Sequence, residues 1–163
     1  MSPPRYVLAI LLAALLTLAL PGVASAATTY RDSVSGFEVY ATLTRGTFTG
    51  QASGDLPGVW GITVDHTELN PSAIVTGGSF SLATTVNATP ALITGQVDYG
   101  GEVLGQHVSG CVDQIYEVDV TLSGVAGDGR GRYHGTLTHH RTSIFGQCIL
   151  YAATVTGWLR LRF

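Results

Sequence analysis

Tyr116-Glu117-Val118-Asp119-Val120-Thr121-Leu122 decides the fold. Large apolar residues alternate with two acids and a threonine, the period-two pattern of a strand with one wet face. The same rhythm spreads in both directions. Downstream, Tyr133, Gly135, Leu137 and His139 share a phase, and Tyr151, Ala153, Val155, Gly157, Leu159, Leu161 and Phe163 share another, opposite Thr154, Thr156, Trp158, Arg160 and Arg162. Upstream come Ile93, Gly95, Val97 and Tyr99, then Phe80, Leu82, Thr84 and Val86, then Trp60, Ile62, Val64 and His66, then Phe48, Gly50 and Ala52. At the start of this region Phe37, Val39, Ala41 and Leu43 alternate with Glu38, Tyr40, Thr42 and Thr44. Glu38, Glu117 and Asp119 are read as outward-facing. Glycine, proline and asparagine punctuate these runs, at Arg45-Gly46, Gly54 to Gly58, Asn70-Pro71, Gly100-Gly101 and Gly124 to Gly131.

Eight or nine short strands with glycines on their inner faces predict an all-β chain, a closed or nearly closed antiparallel β-barrel of about eight strands. Closure would remove the exposed edges that threonine- and valine-rich strands otherwise present. A two-sheet β-sandwich is the alternative, since its strands carry the same periodicity. Residues 102–108 form a weaker strand with a consequence for any site. If they make a reversing strand, the ends of 60–66 and 133–139 point to opposite mouths of the barrel; if they are only a loop, the two ends share one mouth.

The first 26 residues differ from all this. Arg5 precedes an apolar run from Tyr6 to Leu20, Pro21-Gly22 breaks it, and Ala24-Ser25-Ala26 offers the small-x-small pattern of a signal peptidase site. The apolar run is shorter than the roughly 20 residues that cross a bilayer as a helix. The expectation is a cleaved signal peptide over 1–26 and one secreted β-domain over 27–163, with no stable membrane anchor after cleavage. The remaining length of about 137 residues suits one core.

Composition excludes several chemistries. The chain has no lysine, and its eight arginines are scattered. A surface that tracks phosphates needs clustered positive charge, so no nucleic-acid partner is expected. Schiff-base catalysis and the P-loop lysine are likewise out of reach, and no cofactor is expected. The only two cysteines, Cys111 and Cys148, are read as a structural disulfide, as an even pair in an exported chain should be.

Candidate site residues are few. His66 and His139 fall in phase with apolar faces near strand ends, and Tyr99, Tyr116, Tyr133 and Tyr151 share the inward phase. A cavity lined by imidazoles and phenols could bind a polar small molecule or move protons. The same residues could equally be satisfied capping groups. Trp158, on the outward phase of the last strand, is the candidate for stacking on a sugar ring. His134, His139 and His140 do not suit one metal ion: 134 and 140 share a face but lie about 20 Å apart on an extended strand, and 139 faces the other way. No metal is expected, although a site assembled from distant segments, such as Asp65-His66 with His107, is left open. No G-x-S-x-G occurs, and no close pair of inward carboxylates is visible for glycoside hydrolysis. The sequence therefore reads as a secreted, extracellular β-domain acting as a binding or structural module. The alternatives are an isomerase- or cyclase-type enzyme with a His/Tyr-lined cavity and a carbohydrate-binding module. The ligand class is left between a small molecule and a carbohydrate.

Overall fold

A computed structural model describes residues 26–163. The expected leader lies outside them, apart from Ala26. Nine strands follow in order: β1 Thr29–Thr42, β2 Arg45–Gly54, β3 Gly58–His66, β4 Ala73–Val86, β5 Thr89–Val97, β6 Glu102–Gly105, β7 Gln114–Val125, β8 Gly129–Ile144 and β9 Gln147–Arg162. Every pairing among them is antiparallel.

The sheet closes. β1 pairs with both β2 and β9, and the chain of neighbours runs round through β3, β4 and β7 back to β8 and β9. Between β4 and β7 stand two short strands, β5 and β6, each antiparallel to both neighbours. They run in the same direction and together make one stave, so nine strands form a closed eight-staved barrel. The sandwich is excluded by this closure.

The split stave also resolves the parity question in a way neither alternative foresaw. Residues 102–105 are a strand, yet they continue β5 rather than reverse it. The break falls at Asp98 to Gly101, where Asp98 N donates to Thr121 O, Gly100 N to Val75 O and Val75 N to Gly101 O. Gly100 takes φ +95°, open to glycine and strained for other residues. β3 and β8 therefore end at the same mouth.

Side chains of the inward phase fill the lower barrel, and two aromatics set its floor. Trp60 faces Gly50 across β2, and Gly50 faces Gly36 on β1. A Cβ on Gly36 would stand 2.8 Å from the indole and 2.3 Å from Thr49 O, so the two glycines give the ring room to lie flat. The indole N–H is satisfied by the Ser35 and Gln51 carbonyls at 3.2 and 3.1 Å. Tyr133 does the same over the paired Gly135 and Gly157, its hydroxyl donating to Thr156 O at 3.2 Å. Below them Leu56, Leu82, Leu122, Leu161 and Val125 are fully buried. Leu56 is drawn under the barrel by Asp32, whose Oδ1 accepts from the Leu56 N–H at 2.8 Å.

Three expected orientations are corrected. In β1 the inward residues are Asp32, Val34, Gly36 and Glu38, while Phe37 and Val39 point out and are more than half exposed. A bulge between Glu38 and Tyr40 leaves Val39 unpaired, and the following turn is made at Leu43-Thr44. Tyr99 lies outside, 77% exposed, because the stave breaks before it. Tyr151 is also outside, 64% exposed: a bulge pairs His140 with Ala152 and Arg141 with Leu150, leaving Tyr151 as the extra residue. It packs instead near the outer His140 ring, at 6.1 Å.

Candidate functional site

Above the floor the barrel is not filled. A cavity of about 270 Å³ runs from Val34, Val120 and Leu159 up to the rim, where exposed Leu43 and Leu150 line it. Its wall is mostly aliphatic and aromatic, with Phe48, Trp60, Phe80 and Leu137 around a space they do not occupy. Polar groups gather at the mouth: His66, His139, Tyr116, Arg141, Glu38, Arg45 and Glu68.

Strand register places these groups. His139 pairs with Gln114 on β7 and Ala153 on β9, and Tyr116 pairs with Leu137 one level below. The Tyr116 and His139 rings meet edge to face, 4.9 Å apart. Arg141 is the next inward residue of β8 and donates to Oε1 of Gln114, a buried amide. Glu38 enters from β1, its carboxylate lying over Gly46 and the Phe48 ring. Since Phe37 pairs with Thr154 and His139 with Ala153, Glu38 and His139 stand at similar heights two strands apart, about 10 Å between backbones. His66 closes the far side, its Nδ1–H donating to Thr67 O at 2.7 Å.

Burial acts on the titratable groups. It lowers the His139 imidazole to about 4, with the positive Arg141 and the neighbouring His140 and His66 adding to the effect. It raises the Glu38 carboxyl. It also raises the phenols of Tyr116 and Tyr133; at Tyr116 the nearby Arg141 charge offsets part of the rise. Low dielectric disfavours the charged form in each case, so at neutral pH the wall carries a neutral imidazole and two neutral phenols.

The rim is anchored from outside. Cys111 and Cys148 are joined, their Cα atoms 5.4 Å apart, tying the segment between β6 and β7 to the start of β9. Asp113 in that segment accepts from Arg141 N at 3.1 Å through Oδ1 and meets His140 Nδ1 at 2.8 Å through Oδ2. Both contacts lower the Asp113 carboxyl. The disulfide and Asp113 therefore fix the backbone that presents His139 and Arg141.

Of the residues singled out from the sequence, His66, His139, Tyr116 and Tyr133 come together on one cavity, whereas Tyr99 and Tyr151 do not. Trp158 lies on the outer wall, 43% exposed, its ring tilted against His134 at 5.5 Å, so any sugar-stacking surface there would be shared with an imidazole. His134 and His140 face outward and pair with Glu117, Asp119 and Asp113. Among the described residues no three His, Cys, Asp or Glu side chains converge as a metal site would require. Arg141, Gln114 and Glu38 were missed. Arg141 was within reach, because it continues the Tyr133–Leu137–His139 phase by one step. Glu38 was not, since the larger apolar residues of β1 occupy the wrong face. No family model matches the chain, and no curated protein or solved structure matches it either.

Proposed function

We propose that the chain is an exported small-molecule binding protein whose ligand sits inside the barrel. The observation that carries this is the cavity of about 270 Å³, apolar along most of its depth, with its charged groups gathered at one mouth. That size approaches the lower end of the ~300–1,000 Å³ typical of ligand pockets. A space lined by aliphatic and aromatic groups binds by removing apolar surface from water, while the few polar groups orient the guest. Export is supported by the leader pattern over residues 1–26 and by the Cys111–Cys148 bridge, which suits an oxidising compartment.

The test is titration with N-phenyl-1-naphthylamine, an uncharged fluorescent probe. The wild type should bind one equivalent with enhanced emission. Val118→Trp, which drives a larger side chain into the cavity, should abolish the signal. A wild type that leaves the probe dark, or a variant that binds as well as the wild type, counts against the reading.

One observation favours catalysis as a second reading. Burial drives His139 and Glu38 towards their neutral forms on the same cavity, and perturbed acid–base groups cluster at active sites. An enzyme predicts that wild type changes the composition of a small-molecule extract while His139→Asn and Glu38→Gln do not, with probe binding retained in both. Identical extracts from all three proteins would dismiss it.

A further inference from the structure

We propose that the ligand is an amphiphilic carboxylic acid, its apolar body in the barrel and its carboxylate on the guanidinium of Arg141. The inference rests on the cavity-binding reading and names its ligand class. The arginines near the mouth are not partnered alike. Arg45 is paired with Asp65 and Arg132 with Asp119, but no carboxylate lies within ion-pair distance of Arg141 among the described residues. Its guanidinium is half-buried in the cavity wall and donates to neutral groups, the amide oxygen of Gln114 and the neighbouring Tyr116 hydroxyl. That amide is itself committed, its Nε2 donating to Gln106 O at 3.4 Å.

The acids facing the cavity do not supply the missing partner. Glu38 lies over Gly46 and Phe48, on the far side of β9. Glu68 sits exposed in the turn after β3. Asp65 and Asp113 are engaged by Arg45 and His140. A partly desolvated cation without a counter-ion is unfavourable, and the group that relieves it best is a planar anion that takes two parallel N–H bonds. Guanidinium presents five donors in a fixed fork, and the bonds to Gln114 and Tyr116 leave the others free.

The surroundings fit a carboxylate head and an apolar body. Tyr116 offers a phenol and His139 an imidazole beside the guanidinium, while the depth beyond is lined by Val118, Leu137 and Val155. The space holds about nine water-sized groups at ~30 Å³ each, enough for a medium-length chain or a small ring system. The backbone bond from Arg141 N to Asp113 fixes the main chain and the Gln114 bond holds the guanidinium, which lowers the ordering cost of binding.

The experiment compares decanoate with decanol, matched in chain and different in head. Trp158→Phe leaves Trp60, which lines the cavity, as the sole indole reporter. Near neutral pH, where the acid is ionised, decanoate should bind at least about tenfold more tightly than decanol. Arg141→Gln should erase that preference while decanol still binds, the retained decanol binding showing that the variant is folded. Arg141→Lys should keep part of it. Equal affinity of the two ligands for the wild type overturns the carboxylate and leaves the cavity reading intact, as does an Arg141→Gln variant that still prefers decanoate. Failure of both ligands to bind overturns the cavity reading and this inference with it.

Discussion

His139 couples the site to stability. Its imidazole titrates near 4 in the folded chain against an ordinary 6.5, so between those values the unfolded chain binds more protons. Its contribution is complete above pH 6.5 and is lost as pH falls through the window. Glu38 acts in the opposite sense: its raised carboxyl favours the folded state at low pH, and that share is lost as pH climbs. Comparison with His139→Gln separates the two. Allowing for the partial exposure of the ring, the wild type should lose about 1–2 kcal/mol relative to the variant between pH 7 and pH 4. Parallel unfolding midpoints would contradict this. The glycine floor gives a second prediction. Gly36→Ala places a methyl 2.3 Å from Thr49 O and against Trp60, and should cost about 1–3 kcal/mol in chemical denaturation, as overpacking does. A loss of a few tenths would show that the indole has room to shift. At this scale His139, Tyr116 and Tyr133 were legible because the alternation around them is unbroken. Tyr99 and Tyr151 were not, because an interruption between β5 and β6 and a bulge in β9 each displaced a residue from the phase of its neighbours.

Among the elements, the β8–β9 hairpin and the segment before β7 form one unit through Cys111–Cys148 and Asp113. The bridge spans 37 residues of sequence, including all of β7 and β8 as far as Ile144. On the chain-entropy estimate its removal costs about 4 kcal/mol. Cys111→Ser with Cys148→Ser should therefore lower the melting temperature by on the order of 10 °C. It should also weaken decanoate binding more than decanol binding, since Arg141 loses its anchor. A shift in melting temperature with the ligand preference untouched would confine the bridge to stability. β7 and the later part of β9 could be read from sequence because one face is apolar and the other charged or hydroxylated. β1 could not: Phe37 and Val39 are larger and more apolar than the Gly36 and Glu38 that face inward. Its phase is set by pairing Gly36 with Gly50, a contact between strands that no single strand reveals.

For the whole molecule, closure and the shared mouth follow from one stave made of two pieces. Strand number alone suggests nine, and an antiparallel up-and-down barrel needs an even number for its ends to meet antiparallel. The turn at Asp98 to Gly101 supplies the missing parity by interrupting a strand without reversing it. With an even count, β1 and β9 lie side by side, and Thr28 and Phe163 exchange backbone hydrogen bonds at 2.8 and 3.1 Å. Tyr30 stacks on Phe163 beside them, 4.8 Å between rings. Both ends of the described chain thus leave beneath the floor, a full barrel length from Arg141. Whatever is attached to either end hangs from the pole opposite the opening. A purification tag at the C-terminus should leave decanoate affinity unchanged within about twofold, which direct titration of tagged and untagged protein would check. The barrel can be held by its stem and still present its cup.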